Sequence, residues 1–313
     1  MIIVSDLKGD YTDGVPAHLK LEKHSQYSDT DVLFYGYDSI QNFKLQQEYA
    51  HYPRKVLLNL WTPCEFFNKG DSYGRLARKQ VEYFDEIYTI CPFTINWHRR
   101  MTGDRRYRYI FHPFDGSHEP TDFQKTADIC YFGGVHGPEH EEFVQGMTKF
   151  DYRLISMQAH PLITHHNIPH TSKLDLVAQT KISLCYNMLP LNNQHITCTK
   201  TQYYQWQENK AFKMLNEFKA PQYKCRAAEA AFCKSLLLVK RSPWKLIEHY
   251  FEPDKEFIYF DTVEEMQDKV SDILANYEQY EEMIERAHKK SLNYMSEPLI
   301  NIIRNKEEWK PHD

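Results

Sequence analysis

The chain has 313 residues, 42% apolar and 26% charged, a globular composition long enough to bury one large core or two smaller ones. A net charge of −5 excludes a generally basic nucleic-acid coat, and only 11 Gly and 15 Pro exclude collagen-like and low-complexity classes. The 22 Tyr and 18 Phe are many, and supply rings that can line a pocket or stack on a ligand.

The amino terminus, Met1-Ile2-Ile3-Val4-Ser5-Asp6, lacks the basic start and long apolar core of a signal peptide. The longest aliphatic run, Leu236–Val239, is far shorter than the ~20 residues of a membrane span. No membrane span and a cytoplasmic location are therefore expected. The seven cysteines (64, 91, 130, 185, 198, 225 and 233) are odd in number and form no C-x-x-C pair, so reduced, buried thiols are expected rather than a disulfide framework or a thiolate zinc site.

In chain order, the first part predicts strands at Met1–Ser5, Asp31–Tyr35, Lys55–Leu60, Glu86–Ile90 and Tyr107–Phe111. The second predicts them at Asp128–Gly133, Asp151–Ser156, Lys181–Tyr186, Ser235–Val239 and Glu256–Phe260. Near-continuous apolar runs such as Val-Leu-Phe-Tyr suit parallel strands covered on both faces. Helical spacing runs from Thr262 to about Met295, with Val263, Met266, Val270, Ile273, Tyr277, Ile284 and Ala287 on one face and a capping box at Thr262 and Glu265. A closing segment carries Leu299, Ile300, Ile303 and Trp309.

This alternation predicts an α/β fold with two Rossmann-like parallel sheets facing a cleft. The expected boundaries are residues 1–125 and 126–295, with 296–313 a C-terminal helix returning to the first domain. The break falls where Pro113, Gly116, Pro120 and a polar run interrupt the pattern.

The most informative stretch is Lys224-Cys225-Arg226-Ala-Ala-Glu229-Ala-Ala-Phe-Cys233-Lys234-Ser235, followed by the apolar strand, Phe251-Glu252-Pro253-Asp254, another strand and the long helix. It resembles the donor domain of GT-B glycosyltransferases, group 1 and family-4-like members, with their R-x-F-E-A-x-A-C-G pattern. The resemblance implies a transferase moving a hexosyl or pentosyl group from a nucleotide sugar, UDP-linked first and GDP-linked second, to an acceptor hydroxyl. Lys224 and Arg226, near a helix N-terminus, would hold the diphosphate through charge-assisted bonds. Glu229 would accept from both ribose hydroxyls. The bland reading of the same three residues is a set of surface ion pairs. Family-4 members carry a further glutamate eight positions earlier; here that position is Pro221, and inversion and retention stay equally open.

The resemblance adds Gly133 and Gly134, where a strand end lets backbone approach a ligand, and Tyr186 and Asn187, at the strand edge that meets the base. A plain turn is the alternative for the glycine pair. It also implies a site that needs no metal, and the D-x-D of metal-dependent transferases is absent.

The acceptor, a glycan or small molecule, is expected over residues 1–125. For an inverting reaction the base would be Glu65, set among Trp61, Phe66 and Phe67, whose burial would raise its pKa. Asp13 is the second choice, and capping of the following helix is the rival role for Glu65. Arg99, Arg100, Arg105, Arg106 and Arg108, beside Trp97, Tyr107 and Tyr109, could grip a phosphate backbone, so modified DNA is a possible acceptor. A solvated turn is the competing account. His160, His165, His166 and His170 crowd a Pro-punctuated loop that could ligate a metal but reads better as a loop between domains. A monomer and a dimer both fit. Rival functions are a nucleotide-sugar epimerase, and a non-catalytic nucleic-acid or sugar-binding protein on the same shell.

Overall fold

A computed structural model describes residues 1–5, 19–35, 43–60, 82–92, 95, 106–190 and 219–311. The chain divides into two units, one comprising Met1–Pro113, Leu189–Gln222 and Ser296–Pro311, the other Phe114–Met188 and Tyr223–Met295.

Unit 1 holds β1 (Ile2–Ser5), β2 (Asp31–Tyr35), β3 (Arg54–Asn59), β4 (Glu86–Thr89) and β5 (Tyr107–Tyr109), all parallel and paired in sequence order. The apolar runs behave as central strands should, with Val32, Leu33, Phe34 and Tyr35 no more than 1% exposed. One face of the sheet carries Val4, Val32, Phe34, Leu57, Ile87 and Tyr107, and Phe34 meets Phe84 and Tyr49 edge-on at 5.4 and 5.7 Å. The short helix α1 (Phe43–Glu48) lies between β2 and β3.

Unit 2 holds six parallel strands: β6 (Ala127–Phe132), β7 (Tyr152–Ser156), β8 (His165–His166), β9 (Thr180–Cys185), β12 (Leu236–Lys240) and β13 (Ile258–Phe260). The intervening β10 (Met188–Pro190) and β11 (Lys219–Pro221) form a separate two-stranded ladder. The order across the six-stranded sheet is β13-β12-β9-β6-β7-β8. Its first strand is central, later strands are laid down on one side and then on the other, and the direction of growth reverses between β6 and β9. In open α/β sheets ligands bind outside the carboxyl ends of strands at such a reversal. No reversal occurs among the described strands of unit 1.

The helices of unit 2 are α2 (Pro138–Met147), α3 (His170–Ala178), α4 (Arg226–Phe232), α5 (Val263–Ala275) and α6 (Glu281–Ser291). The single helix expected over 262–295 is thus two. Thr262 caps the first of them, its Oγ1 accepting from the Glu265 N–H at 3.1 Å, while the Glu265 carboxylate reaches one residue past the N-cap and accepts from the Asp261 N–H at 2.7 Å, a variant of the expected capping box. The break falls at Asn276, whose side-chain amide donates to the Asp272 carbonyl at 3.0 Å and competes with the helical ladder.

The returning helix α7 (Ser296–Arg304) belongs to unit 1, with Leu299, Ile300 and Ile303 at most 1% exposed. Trp309 follows it and packs on Tyr109 and Phe111 at 5.0 and 5.6 Å. Among the described residues no helix is long and apolar enough to cross a membrane.

Helix α4 ends in a Schellman turn, in which the N–H groups of Lys234 and Ser235 donate to Ala231 and Ala230, each at 3.0 Å. The left-handed residue there is Lys234, at φ 52, where the related pattern has glycine. Lys234→Gly is expected to raise stability by about 0.5–1 kcal/mol, because a side chain in this region is strained and the surface pair of Lys234 with Glu285 contributes little. Chemical denaturation would read this, and a loss of stability would contradict it.

Candidate donor site at the strand reversal

The two strand ends that flank the reversal carry Gly133-Gly134, after β6, and Tyr186-Asn187, after β9. Helix α4 is delivered to the same place. The Lys224 N–H donates to Asn187 Oδ1 at 3.2 Å, which fixes the start of α4 against the end of β9. Its alanines 227, 228, 230 and 231 are fully buried, small enough to let the helix sit close to its neighbours. Arg226 then reaches β6. Its guanidinium lies over the Tyr131 ring, 4.9 Å from the centroid, and donates to the Tyr131 hydroxyl, which donates in turn to the Gly134 carbonyl at 3.0 Å.

Glycine is required where the guanidinium passes. Gly133 has φ +127, and a Cβ there would stand 2.2 Å from Arg226 Nη2. The neighbouring Gly134 has no positive φ, and a Cβ there would stand 2.5 Å from Gln158 Oε1 and 2.7 Å from His136 Nε2.

Glu229 lies one turn along α4 and is 1% exposed. Lys173 Nζ pairs with its Oε2 at 2.9 Å, and His170 Nδ1 stands 4.0 Å from Oε1. Burial first, and then Lys173, hold His170 below its ordinary pKa, so the ring is neutral at pH 7. Its Nε2 is 3.3 Å from the Asp115 carbonyl and takes the proton in this network.

Tyr186 and Asn187 are each 2% exposed. The Tyr186 hydroxyl donates to Glu139 Oε2 at 2.7 Å, and Lys240 lies 3.7 Å from Glu139 Oε1. Both residues therefore shape the strand end from within unit 2.

Of the residues singled out by sequence, the structure brings Gly133, Gly134, Tyr186, Asn187, Lys224, Arg226 and Glu229 together at one sheet edge. Glu65, Asp13, Trp61, Arg99 and Arg100 lie outside the described residues. Arg106 and Arg108, from the same basic run, are engaged within unit 1: Arg106 donates to the Phe84 carbonyl at 3.0 Å, and Arg108 to the carbonyl of Lys306. The four histidines separate, His160 to Glu141 at 2.9 Å, His165 to Thr164, His166 to the Met157 carbonyl and His170 toward Glu229. Sequence reasoning missed Tyr131, His140 and Lys173. For Lys173 a signal existed, since it stands one helical turn from His170 beyond Pro169, but that stretch reads as loop.

The glycosyl transferase-like family model matches residues 135–296, just over half of the chain. This chain belongs to that family. The match takes in α2, the β9 end and all of α4, and begins just after the β6 end with Gly133 and Gly134. No curated protein matches the sequence. Solved structures agree on the fold at low identity. A mutant of S. aureus TarM in complex with UDP aligns at TM-score 0.58 and 10% identity, covering 91% of this chain and 57% of that one. Sucrose-phosphate synthase from Thermosynechococcus elongatus aligns at TM-score 0.58 and 9% identity, covering 91% and 75%. Anabaena Alr3699/HepE in complex with UDP and glucose aligns at TM-score 0.56 and 9% identity, covering 88% and 77%. The chain thus spans a little over half the length of the TarM chain. Both sheets being parallel and helix-flanked, the fold of this glycosyltransferase-family chain is GT-B.

Proposed function

We propose that this protein transfers a sugar from a nucleotide-sugar donor, UDP-linked first and GDP-linked second, to an acceptor hydroxyl on a glycan or small molecule. One observation carries the reading: a guanidinium held by Tyr131 over a mandatory glycine, at the strand reversal of the sheet. Arg226 and Lys224 supply positive charge where a diphosphate leaving group would gather negative charge, the largest electrostatic contribution such a site makes. Glu229, oriented by Lys173, is assigned the ribose hydroxyls. Tyr186 and Asn187 position the site rather than touch the base. In the reaction the bond from the sugar's anomeric carbon to the diphosphate breaks, and the acceptor oxygen bonds to that carbon. If the reaction inverts, the acceptor proton passes to Glu65 or Asp13. Those two follow β3 and β1, parallel strands whose carboxyl ends share one edge of the unit 1 sheet.

The test is thermal unfolding with UDP, GDP, CMP, ADP and dTDP, each with and without magnesium. UDP at 100-fold over its dissociation constant is expected to stabilise by roughly 2.7 kcal/mol, equally without magnesium because the side chains supply the charge. Glu229→Ala should abolish the shift. A protein indifferent to every nucleotide would overturn the donor reading.

A further inference from the structure

His140, the third residue of α2, is neither a residue of the family pattern quoted above nor near the surface: it is 2% exposed. Its imidazole stacks on the Tyr186 ring at 4.4 Å and 11°, and stands edge-to-face with Tyr131 at 4.7 Å and 88°. Nδ1 accepts the backbone N–H of His136 at 3.1 Å. The proton therefore sits on Nε2, and that buried N–H has no hydrogen-bond partner among the described residues. Burial first, then the positive charge of Arg226, push the pKa of the ring down to about 2, so it is neutral at any working pH.

Packing alone does not explain a histidine here. Phenylalanine would fill the same slot between two tyrosines without burying an unpaired donor, which costs stability. What phenylalanine cannot offer is an acceptor for the His136 N–H. That bond closes the segment from Gly133 to Gly137, which joins β6 to α2. At its β6 end the segment is held by the Gly133 N–H, which donates to the Ile155 carbonyl at 2.8 Å, and by the Tyr131 hydroxyl on the Gly134 carbonyl; the same hydroxyl takes the Arg226 guanidinium. His140 and Tyr131 thus fix one loop from its two ends, and Arg226 docks against it at Gly133.

We infer that His140 is a positioning residue for the donor diphosphate: through the His136 N–H it locks the Gly133–Gly137 loop into the shape against which Arg226 and the phosphates are held. The inference rests on the donor-site reading above. It does not place His140 in contact with the ligand, since the ring is enclosed by Tyr131 and Tyr186.

Three full-length proteins test it, wild type, His140→Phe and His140→Asn, each measured for unliganded thermal unfolding and for UDP affinity by calorimetry. His140→Phe keeps the stack and loses the acceptor; His136 is an exposed residue, so its N–H can turn to water instead. It should unfold at or above the wild-type temperature yet bind UDP about tenfold more weakly, one lost hydrogen bond of roughly that worth. His140→Asn places Oδ1 close to where Nδ1 stood. It should unfold earlier, for want of the ring, yet recover most of the UDP affinity. A merely structural histidine predicts instead that stability and affinity fall together in both variants, and that result overturns the inference. So does His140→Phe binding UDP as tightly as wild type, with the donor reading left intact. Wild type that binds no nucleoside diphosphate removes the donor reading, and this inference with it.

Discussion

Gly133→Ala is expected to weaken UDP binding by about ten- to hundredfold, the worth of one charge-assisted hydrogen bond to phosphate. Two effects act at this position. At φ +127 the backbone is in a region that residues with a side chain rarely enter, which costs on the order of 1–3 kcal/mol. The added methyl would also stand 2.2 Å from Arg226 Nη2, 2.6 Å from Cζ and 3.0 Å from Nη1. The end of an arginine is movable, so the guanidinium swings off Tyr131 and the loss falls on the charge that the diphosphate needs. Gly134→Ala is the control. There the methyl meets the ends of Gln158 and His136 and no positive φ is involved, so the loss of UDP affinity should be clearly smaller. Calorimetric titration of the two variants reads the contrast, and equal affinities would remove Arg226 from the phosphate site.

The strands were legible in the sequence because a parallel strand buried on both faces needs an unbroken apolar run, and Val-Leu-Phe-Tyr and Leu-Leu-Leu-Val are such runs. β8 was not, since His165 and His166 at a sheet edge carry no such signature, and neither were the three-residue β10 and β11. The long helix was overdrawn because its apolar face continues past Asn276 while the hydrogen bonds do not. Arg226, Glu229 and the glycine pair stood out by residue type and by their places at element ends. Strand order did not. Local pattern cannot say that β6 and β9 are neighbours, and their pairing is what brings the glycine-bearing end of β6 beside the end of β9. His140 was hidden for a related reason. In the first turn of a helix a histidine ordinarily faces water, and only Tyr131 from β6 and Tyr186 at the end of β9 make a slot for it. The partner of Glu229 comes from Lys173, on a different helix, and no spacing rule links the two.

Arg54→Met is expected to cost about 3–5 kcal/mol of stability, the range for removing one partner from a buried ion pair. Arg54 and Glu86 are both 8% exposed. Arg54 Nε and Nη2 donate to the two Glu86 oxygens at 2.7 and 3.1 Å, Nη1 reaches Asp31 at 3.3 Å, and Nη2 also donates to the Ile303 carbonyl at 2.7 Å. One side chain thus joins β2, β3, β4 and helix α7. After the substitution Glu86 keeps, among the described residues, the Tyr88 hydroxyl at 3.3 Å and Arg108 at 3.7 Å, which favours the lower end of the range. Adding Glu86→Leu should restore most of the loss, because the cost lies in the stranded charge. The pH dependence has a definite sign. Burial alone would raise the pKa of Glu86, but the hydrogen bonds and charge of Arg54, then Arg108, outweigh it and hold the carboxyl below its usual range. A carboxyl depressed in the folded state stabilises fully above its unfolded pKa, and that stability is lost as pH falls through the folded value. Wild type should therefore lose stability on acidification below the ordinary carboxylate range, and the double variant should lose less. Denaturation midpoints between pH 3 and pH 7, with hydrogen exchange across Ser296–Arg304, measure both effects. If Arg54→Met leaves the exchange of α7 unchanged, the guanidinium is not what fastens the returning helix to its sheet.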